Sequence, residues 1–202
     1  MESVDYKKTL KPLYQPTTKE VVEVVVPSIN FLMLDGAGDP NTSLEYQQAV
    51  EALYSVAYAI KFMVKKGPIA LDFGVMPLEG LWWSDDMSTF SVDAKSDWKW
   101  TMMIMQPSVV TADMVAKAID SATKKGVSAV DRLHFKAFEE GPCAQIMHIG
   151  PFSAEGPTVE RIHAYIDSRG GRRGKHHEIY LSDIRKADPA RWKTIIRQPM
   201  ND

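Results

Sequence analysis

Apolar residues recur along the chain with two different periods, and the period at each point predicts a strand or a helix. Apolar and β-branched residues are dense from 21 to 34, where Pro27 divides the run into two short strands or one bulged edge strand. Period-two alternation predicts further strands at 69–76, 98–106, 133–138, 143–149, 176–182 and 193–199.

Helical periodicity with end signals marks three other segments. Ser43 can cap a helix over residues 43–66, and Gly67 follows its last turn. Its apolar residues form one broad face, made of Tyr46, Val50, Leu53, Tyr54, Ala57, Ile60 and Val64. Segments 111–125 and 157–169 are the second and third predicted helices.

The order of these elements repeats once along the chain. Residues 31–36 lead into the first helix as residues 145–150 lead into the third, and two strands follow each helix. The repetition predicts an α+β fold of two βαββ halves, about 21–125 and 130–200, in a pseudo-two-fold arrangement within one domain, 21–202. A central cleft between the halves would be the usual place for a ligand. Residues 1–20 show no period, so we expect a surface arm without chemistry.

Composition and charge narrow the class of protein. The chain has 202 residues, 45% hydrophobic and 25% charged, which suits one globular domain. Its net charge of -2 argues against a nucleic-acid partner. Glu51 and Lys61 interrupt the longest apolar helix, which argues against a membrane span. A single cysteine, Cys143, and an N-terminus without a signal-peptide pattern predict a cytoplasmic location.

The strand at 176–182 carries the first candidate chemistry. Alternation places His176, Glu178 and Tyr180 on one face and His177 on the other. A carboxylate between an imidazole and a phenol can act as a general base. A solvated strand face, with His177 as a hydrogen-bonded interior residue, explains the same pattern. Because adjacent histidines point to opposite faces, we expect no metal site here.

Aromatic residues supply the second candidate site. Glu79, Trp82 and Trp83 lie in a predicted loop, where indoles could stack a flat aromatic or cationic ligand. One tryptophan could equally fill the core. Tyr54 and Tyr58 are one helical turn apart and could reach a cleft. The connection at 84–97 is long for a hairpin, and long connections are often functional.

Trp100 and His148 are two further candidate ligand contacts. Trp100 also shares a strand face with Trp98, Met102 and Ile104, and this pattern is typical of a row of buried core residues. The sequence contains no glycine-rich nucleotide motif with its lysine, so no cofactor is expected. Cys143 has no neighbouring base in the sequence, which favours a buried structural thiol.

Several motifs together resemble the GyrI-like small-molecule-binding family across residues 20–200. They are QIMHIGPF (145–152), EGPT (155–158), KHHEIYLSD (175–183), the helix segment from 52 to 58, PLEGLWW (77–83) and TIIRQP (194–199). The resemblance implies two SHS2 (βαββ) modules around a cleft for flat, often cationic or hydrophobic compounds, with Glu178 facing the cleft. Some stand-alone members hydrolyse cyclopropane-bearing DNA-alkylating compounds, whereas others are sensor domains of transcription regulators. This sequence has no helix-turn-helix module.

The hypothesis that combines these observations is a xenobiotic-binding hydrolase. Trp82, Trp83, Tyr54 and Tyr58 would enclose a planar aromatic molecule, Glu178 would position or deprotonate water, and Tyr180 or Tyr58 would donate a proton. Glu79, Trp100, His148 and His176 complete the candidate ligand contacts. Two alternatives remain open, a protein that binds such molecules without chemistry and a protein-interaction module related to topoisomerase inhibitors.

Overall fold

The computed structural model describes residues 2–87, 90 and 94–201. The chain is a mixed α/β protein in which antiparallel strands predominate and helices are few. It forms two compact units, each assembled from separate stretches of chain. Unit 1 comprises the described residues of Met1–Tyr6, Ile29–Met76 and Trp82–Phe138, and unit 2 comprises those of Lys7–Ser28, Pro77–Leu81 and Glu139–Asp202.

Unit 1 is built on a three-strand antiparallel arrangement with two helices. Strand β3 (Ile29–Ala37) lies between β6 (Lys99–Gln106) and β7 (His134–Phe138). Helix α3 (Leu44–Lys66) packs on β3, β6 and helix α4 (Ala112–Lys124). A short parallel pair, β1 (Glu2–Val4) and β4 (Leu71–Phe73), completes the unit.

The ends of the two helices of unit 1 follow the sequence signals. Ser43 Oγ accepts a hydrogen bond from the Tyr46 amide at 3.2 Å, and Gly67 follows the last residue of α3. Thr111 Oγ1 accepts from the Met114 amide at the start of α4. These side chains satisfy amides that the first helical turn leaves without partners, which confirms both predicted helices.

Unit 2 contains an antiparallel sheet in the order β2 (Val22–Val26), β8 (Gly141–Ile149), β11 (Lys193–Asn201) and β10 (His176–Tyr180). A short strand, β9 (Arg172–Arg173), pairs with the end of β11. Helix α5 (Gly156–Ser168) covers one face of this sheet. Its Ile162 and Ile166 pack with Ala144, Ile146 and Ile196 to form a buried core.

Two segments between the first helix and the strand at 98–106 differ from the sequence prediction. Residues 77–83 were expected as a loop but form strand β5 (Leu78–Trp83). Five of its six residues are buried, so the strand lacks the polar alternation that reveals a half-exposed strand. The strand expected at 69–76 is only three residues long, and it begins just after Ala70, whose positive φ of 52° departs from extended backbone. Residues 88, 89 and 91–93 of the expected connection 84–97 lie outside the described residues.

The N-terminal segment is more structured than an arm. It forms two short helices, α1 (Tyr6–Thr9) and α2 (Lys11–Tyr14), and buries Leu13 and Tyr14. Main-chain carbonyls of Pro12 and Leu13 accept hydrogen bonds from buried side chains of the unit 2 sheet. The part of the segment from Lys7 onward is therefore part of the packing of unit 2.

No helix within the described residues has the length and apolar character needed to cross a membrane.

Candidate functional site

A partly accessible carboxylate lies on the face of β10 that is covered by α5. Glu178 Oε1 is 2.8 Å from His176 Nε2, and Glu178 Oε2 accepts a hydrogen bond from the Tyr180 hydroxyl at 2.7 Å. Period-two geometry brings the three side chains together, as the sequence predicts. The side chains of His176 and Glu178 are 12% and 15% exposed. Both carboxylate oxygens are thus oriented, while the group retains access to solvent.

A second carboxyl group, that of Glu155, lies near Glu178. Glu155 immediately precedes α5 and is 7% exposed, and its Oε1 is buried without a hydrogen-bond partner among the described residues. Burial and the negative charge of Glu178 raise the pKa of Glu155 to about 10. Glu155 is therefore the member of the pair that keeps its proton at neutral pH.

The pKa of Glu178 moves the opposite way. Burial alone would raise it, but the interactions with His176 and Tyr180 outweigh burial and lower it. Glu178 is consequently the ionised member of the pair.

Aromatic side chains flank this pair within unit 2. Phe152 contacts Tyr180 edge-on at 5.7 Å between ring centroids, and it contacts Trp192 at 5.0 Å. Phe152 is 38% exposed. His148 lies on β8 opposite Thr194, and its Nδ1 is 2.9 Å from Thr158 Oγ1. An ionised carboxylate and exposed aromatic surface are therefore close together.

The other face of β10 carries a buried cluster of charged groups. His177 Nε2 is 2.9 Å from Glu79 Oε2, and His177 Nδ1 is 2.9 Å from both oxygens of Glu140. Arg197 Nη1 lies 3.6 Å from Glu140, and the Tyr14 hydroxyl donates to Glu79 Oε1 at 2.7 Å. Glu79, proposed from sequence as a ligand contact, is completely buried here with both oxygens occupied.

The groups of this cluster shift the pKa values of His177 and Glu140 so that both charged forms are favoured. Burial would lower the pKa of His177, but Glu140 and Glu79 outweigh burial and raise it to about 9. Burial would raise the pKa of Glu140, but His177 and Arg197 outweigh burial and lower it. A protonated His177 thus balances two carboxylates in the interior, and the arrangement is a structural ion cluster.

The predicted aromatic candidates in unit 1 fall into two groups. Trp82 and Trp100 are buried against Tyr46, with ring centroids 6.0 and 5.4 Å from it. Trp100 also lies directly over Gly36, where a Cβ atom would be 2.1 Å from Trp100 Cη2. These contacts place Trp100 in the core of unit 1.

The second group consists of Tyr54, Tyr58 and Trp83. The rings of Tyr54 and Tyr58 are 6.4 Å apart and inclined by 32°, and Tyr58 is 49% exposed. Trp83 ends β5 and is half-buried. These three side chains each have aromatic surface that solvent can reach. That they contact a ligand is a prediction from the sequence.

Sequence reasoning missed Glu155, Tyr14, Glu140 and Arg197. Glu155 precedes a helix, where an acidic residue is ordinarily explained by the helix dipole, and Glu140 lies in a turn motif. Only the fold brings these residues to β10. The single signal in the sequence was the unusual density of ionisable residues at 176–180.

The described residues contain no group of three or more His, Cys, Asp and Glu side chains arranged to hold a metal ion. Cys143 is buried, and burial raises the pKa of its thiol, so the thiol is not an activated nucleophile.

Comparisons with known proteins agree in both sequence and fold. A sequence profile of the GyrI-like small molecule binding domain matches residues 19–200. An uncharacterized conserved protein from Listeria innocua is 43% identical, with a TM-score of 0.89 over 98% of this chain and 100% of that chain. A hydrolase from Listeria innocua is 42% identical, with a TM-score of 0.87 over 99% of this chain and 100% of that chain.

More distant similarity is structural only. The C-terminal domain of EcmrR is 11% identical, with a TM-score of 0.56 over 91% of this chain and 98% of that chain, which shows a shared fold. No match was found among curated proteins.

Proposed function

We propose that this chain, which belongs to the GyrI-like small molecule binding domain family, binds planar aromatic or cationic compounds at Glu178 and adds water to reactive ones. The observation that supports the proposal best is the ionised, partly exposed Glu178 carboxylate, held by the Tyr180 hydroxyl and flanked by exposed aromatic surface within one unit.

Binding follows from the charge and surface around Glu178. A flat cation gains Coulomb attraction to the carboxylate, which is stronger here than in water because the group is largely buried. Phe152 and Trp192 offer aromatic faces that attract cations and apolar rings. This combination favours lipophilic cations over anions of the same size.

Water addition needs a positioned water molecule and a group that accepts its proton. In the proposed step, water oxygen bonds to a cyclopropane carbon and its proton moves to Glu178. The ring carbon–carbon bond breaks, and its electron pair ends on the conjugated oxygen of the substrate. That oxygen then takes the proton from Glu178, which restores the carboxylate. Once Glu178 has taken up the proton, the Tyr180 hydroxyl can turn away from Glu178 and donate a hydrogen bond to the developing anion.

A lowered pKa makes Glu178 a weak base, so the reaction requires a strained electrophile. Cyclopropane-bearing alkylating compounds meet this requirement because ring strain lowers the barrier for attack by a weakly activated water. The similarity to a Listeria innocua hydrolase supports the enzymatic form of the proposal.

Turnover of a cyclopropane-bearing aromatic electrophile, followed by mass spectrometry for the water adduct, tests the reaction. We expect Glu178→Gln to lower kcat by on the order of 10²–10⁴-fold, because the amide cannot accept the proton. Glu160→Gln changes an exposed carboxylate on α5 and is the matched control. Full turnover by Glu178→Gln would show that the catalytic assignment is wrong.

The second candidate function is binding without chemistry. It is favoured by the hydrogen bonds that already occupy both oxygens of Glu178. In that case the protein binds a planar cationic dye, Glu178→Gln weakens this binding, and no water adduct forms with any electrophile.

A further inference from the structure

We propose that His177 is a positioning residue for Glu178: held between Glu79 and Glu140, its ring fixes how strand β10 presents its opposite face. In this role the buried ion cluster contributes to kcat as well as to stability. The inference deepens the proposed function and rests on it for the kinetic part of its test.

The ring of His177 is held at both of its nitrogen atoms, and we call these two contacts the His177 clamp. Nε2 lies 2.9 Å from Glu79 Oε2, and Nδ1 lies 2.9 Å from both oxygens of Glu140. A neutral imidazole has one N–H group, so it would direct a lone pair at one of the two carboxylates. The protonated ring donates on both sides. Closure of the clamp therefore requires the imidazolium form.

The two carboxylates of the His177 clamp are themselves held by other parts of unit 2. Glu79 on β5 accepts a hydrogen bond from the Tyr14 hydroxyl of α2 at 2.7 Å. Glu140, immediately before β8, lies 3.6 Å from Arg197 Nη1 on β11. The side chains of Glu79, Glu140 and Arg197 are at most 2% exposed. The clamp thus joins β10 to β5, β11 and the start of β8 at positions that solvent hardly reaches.

The hydrogen bonds around Glu178 do not by themselves fix its position in unit 2. His176 and Tyr180, which bond to its two oxygens, lie on the same strand, so these contacts hold the three side chains to one another. The His177 clamp reaches other elements. Because successive side chains leave one backbone towards opposite faces, a rotation of β10 about its axis moves His177 and Glu178 together. A closed clamp therefore sets the orientation of Glu178 on the face that α5 covers.

Water addition is more sensitive to this orientation than binding is. The attacking oxygen must approach the reacting carbon along one direction, and a displacement of about 1 Å can slow such a step on the order of 10²-fold. Coulomb attraction and aromatic contact depend less steeply on distance. Loss of the His177 clamp should therefore lower kcat and change KM little.

Nitrogen-15 NMR of the histidine side chains tests the His177 clamp itself, with His177→Gln used to assign the signals. Burial would lower the pKa of His177, but the two carboxylates outweigh burial and raise it to about 9. We expect both ring nitrogens to be protonated at pH 7 and one of them to lose its proton as the pH rises through 9. A neutral ring at pH 7 would overturn the inference, because one side of the clamp would then lack its donor.

Two substitutions separate positioning from loss of stability. The amide of His177→Gln has one nitrogen and cannot donate to both carboxylates, so we expect kcat to fall by about tenfold with KM nearly unchanged. Ile166→Val removes one methyl group from the buried core beside α5 and leaves the clamp intact, so it should destabilise unit 2 without lowering kcat. Circular dichroism checks the folding of each variant. A kcat of His177→Gln equal to that of the unchanged protein would contradict the positioning role.

The pH dependence of kcat gives a test that needs no substitution. The protonated ring closes the clamp, so kcat should be level below pH 8 and fall as the pH rises through 9. Of the other groups on this side of β10, Tyr14 and Cys143 stay neutral because burial raises the pKa of each. Glu140 stays ionised because His177 and Arg197 lower its pKa. His177→Gln should lack the decline and Ile166→Val should retain it, whereas an equal decline in His177→Gln would overturn the inference.

Failure of this inference is distinguishable from failure of the proposed function. If Glu178→Gln loses turnover while His177→Gln keeps both kcat and its pH dependence, the proposed reaction stands and the inference is wrong. If Glu178→Gln keeps full turnover, the proposed reaction is wrong, and the induced circular dichroism of the bound planar cation ethidium reports the orientation of the site. We then expect His177→Gln to change this signal and Ile166→Val to leave it unchanged. An identical signal in His177→Gln and the unchanged protein would overturn the inference.

Discussion

His177 shows how one buried residue can set the conditions under which unit 2 is stable. It is 1% exposed and lies between the carboxyl groups of Glu79 and Glu140, which balance its positive charge in the interior. Removing one partner from such a cluster leaves an uncompensated charge in the interior, which typically costs about 3–5 kcal/mol. The same surroundings raise the pKa of His177 to about 9.

Because this pKa is higher than the ordinary 6.5, the stabilising effect of protonated His177 is complete below pH 6.5 and is lost as the pH rises through 9. We expect the free energy of unfolding to fall over this range, with roughly 3 kcal/mol of the fall due to His177. Urea unfolding at pH 6 and pH 9.5 measures the change, and His177→Gln should reduce it.

The raised pKa of Glu155 also makes stability fall with rising pH, so the informative quantity is the difference between variants. An identical pH dependence in His177→Gln and the unchanged protein would contradict the assigned charge.

A second prediction at the residue scale concerns Gly36. A Cβ atom there would lie 2.1 Å from the buried Trp100 ring, so Gly36→Ala forces the indole or the strand to move. We expect a loss of about 1–3 kcal/mol in unfolding free energy, measured by urea unfolding. Gly74→Ala, where a Cβ meets nothing within 4 Å, should cost much less. Equal losses would show that the site under Trp100 relaxes freely.

Elements differ in how much of their structure the sequence reveals. Helices α3 and α4 were predicted to within a residue or two because Ser43 and Thr111 are local caps that act within one turn. Strand β5 was missed because both its faces are buried, which removes the alternating pattern. The grouping of His176, Glu178 and Tyr180 was predictable from period two, whereas Glu155 reaches Glu178 only through tertiary packing.

Ser43 gives a test at the element scale. Ser43→Ala leaves the Tyr46 amide without its side-chain acceptor, so we expect a loss of about 1 kcal/mol in unfolding free energy. Ser43→Asp supplies another acceptor and should restore most of the stability. Equal stability of all three proteins in thermal and urea unfolding would contradict a capping contribution.

At the scale of the whole molecule, each unit draws on distant parts of the chain. Unit 2 combines an N-terminal stretch, the five residues Pro77–Leu81, and the C-terminal part beginning at Glu139. The N-terminal stretch supplies Tyr14 to Glu79 and the carbonyl of Leu13 to Arg197. These long-range hydrogen bonds have no counterpart in local sequence patterns, which is why residues 1–20 were expected to be an arm.

Deleting residues 2–16 tests the role of this segment. The deletion removes β1 together with Tyr14 and the carbonyls of Pro12 and Leu13. Strand β4 then loses its partner strand, and Gln145 and Arg197 lose buried acceptors. We expect a loss of several kcal/mol, since each such unsatisfied group costs about 1–3 kcal/mol. Thermal unfolding measures it, and Tyr14→Phe, which removes one hydroxyl, should give a smaller loss. An unchanged Tm after the deletion would show that the segment only lies on the surface.

Strand β10 imposes a constraint on how this sequence can change over evolutionary time. Its odd and even positions serve two different charged clusters, so inserting or deleting one residue within His176–Tyr180 would exchange the clusters between the faces. An apolar strand in the same situation would merely expose methyl groups, whereas here uncompensated charges would enter both sides of the sheet. Length variation among descendants should therefore be confined to the segments that flank this strand, while substitutions accumulate one position at a time within it.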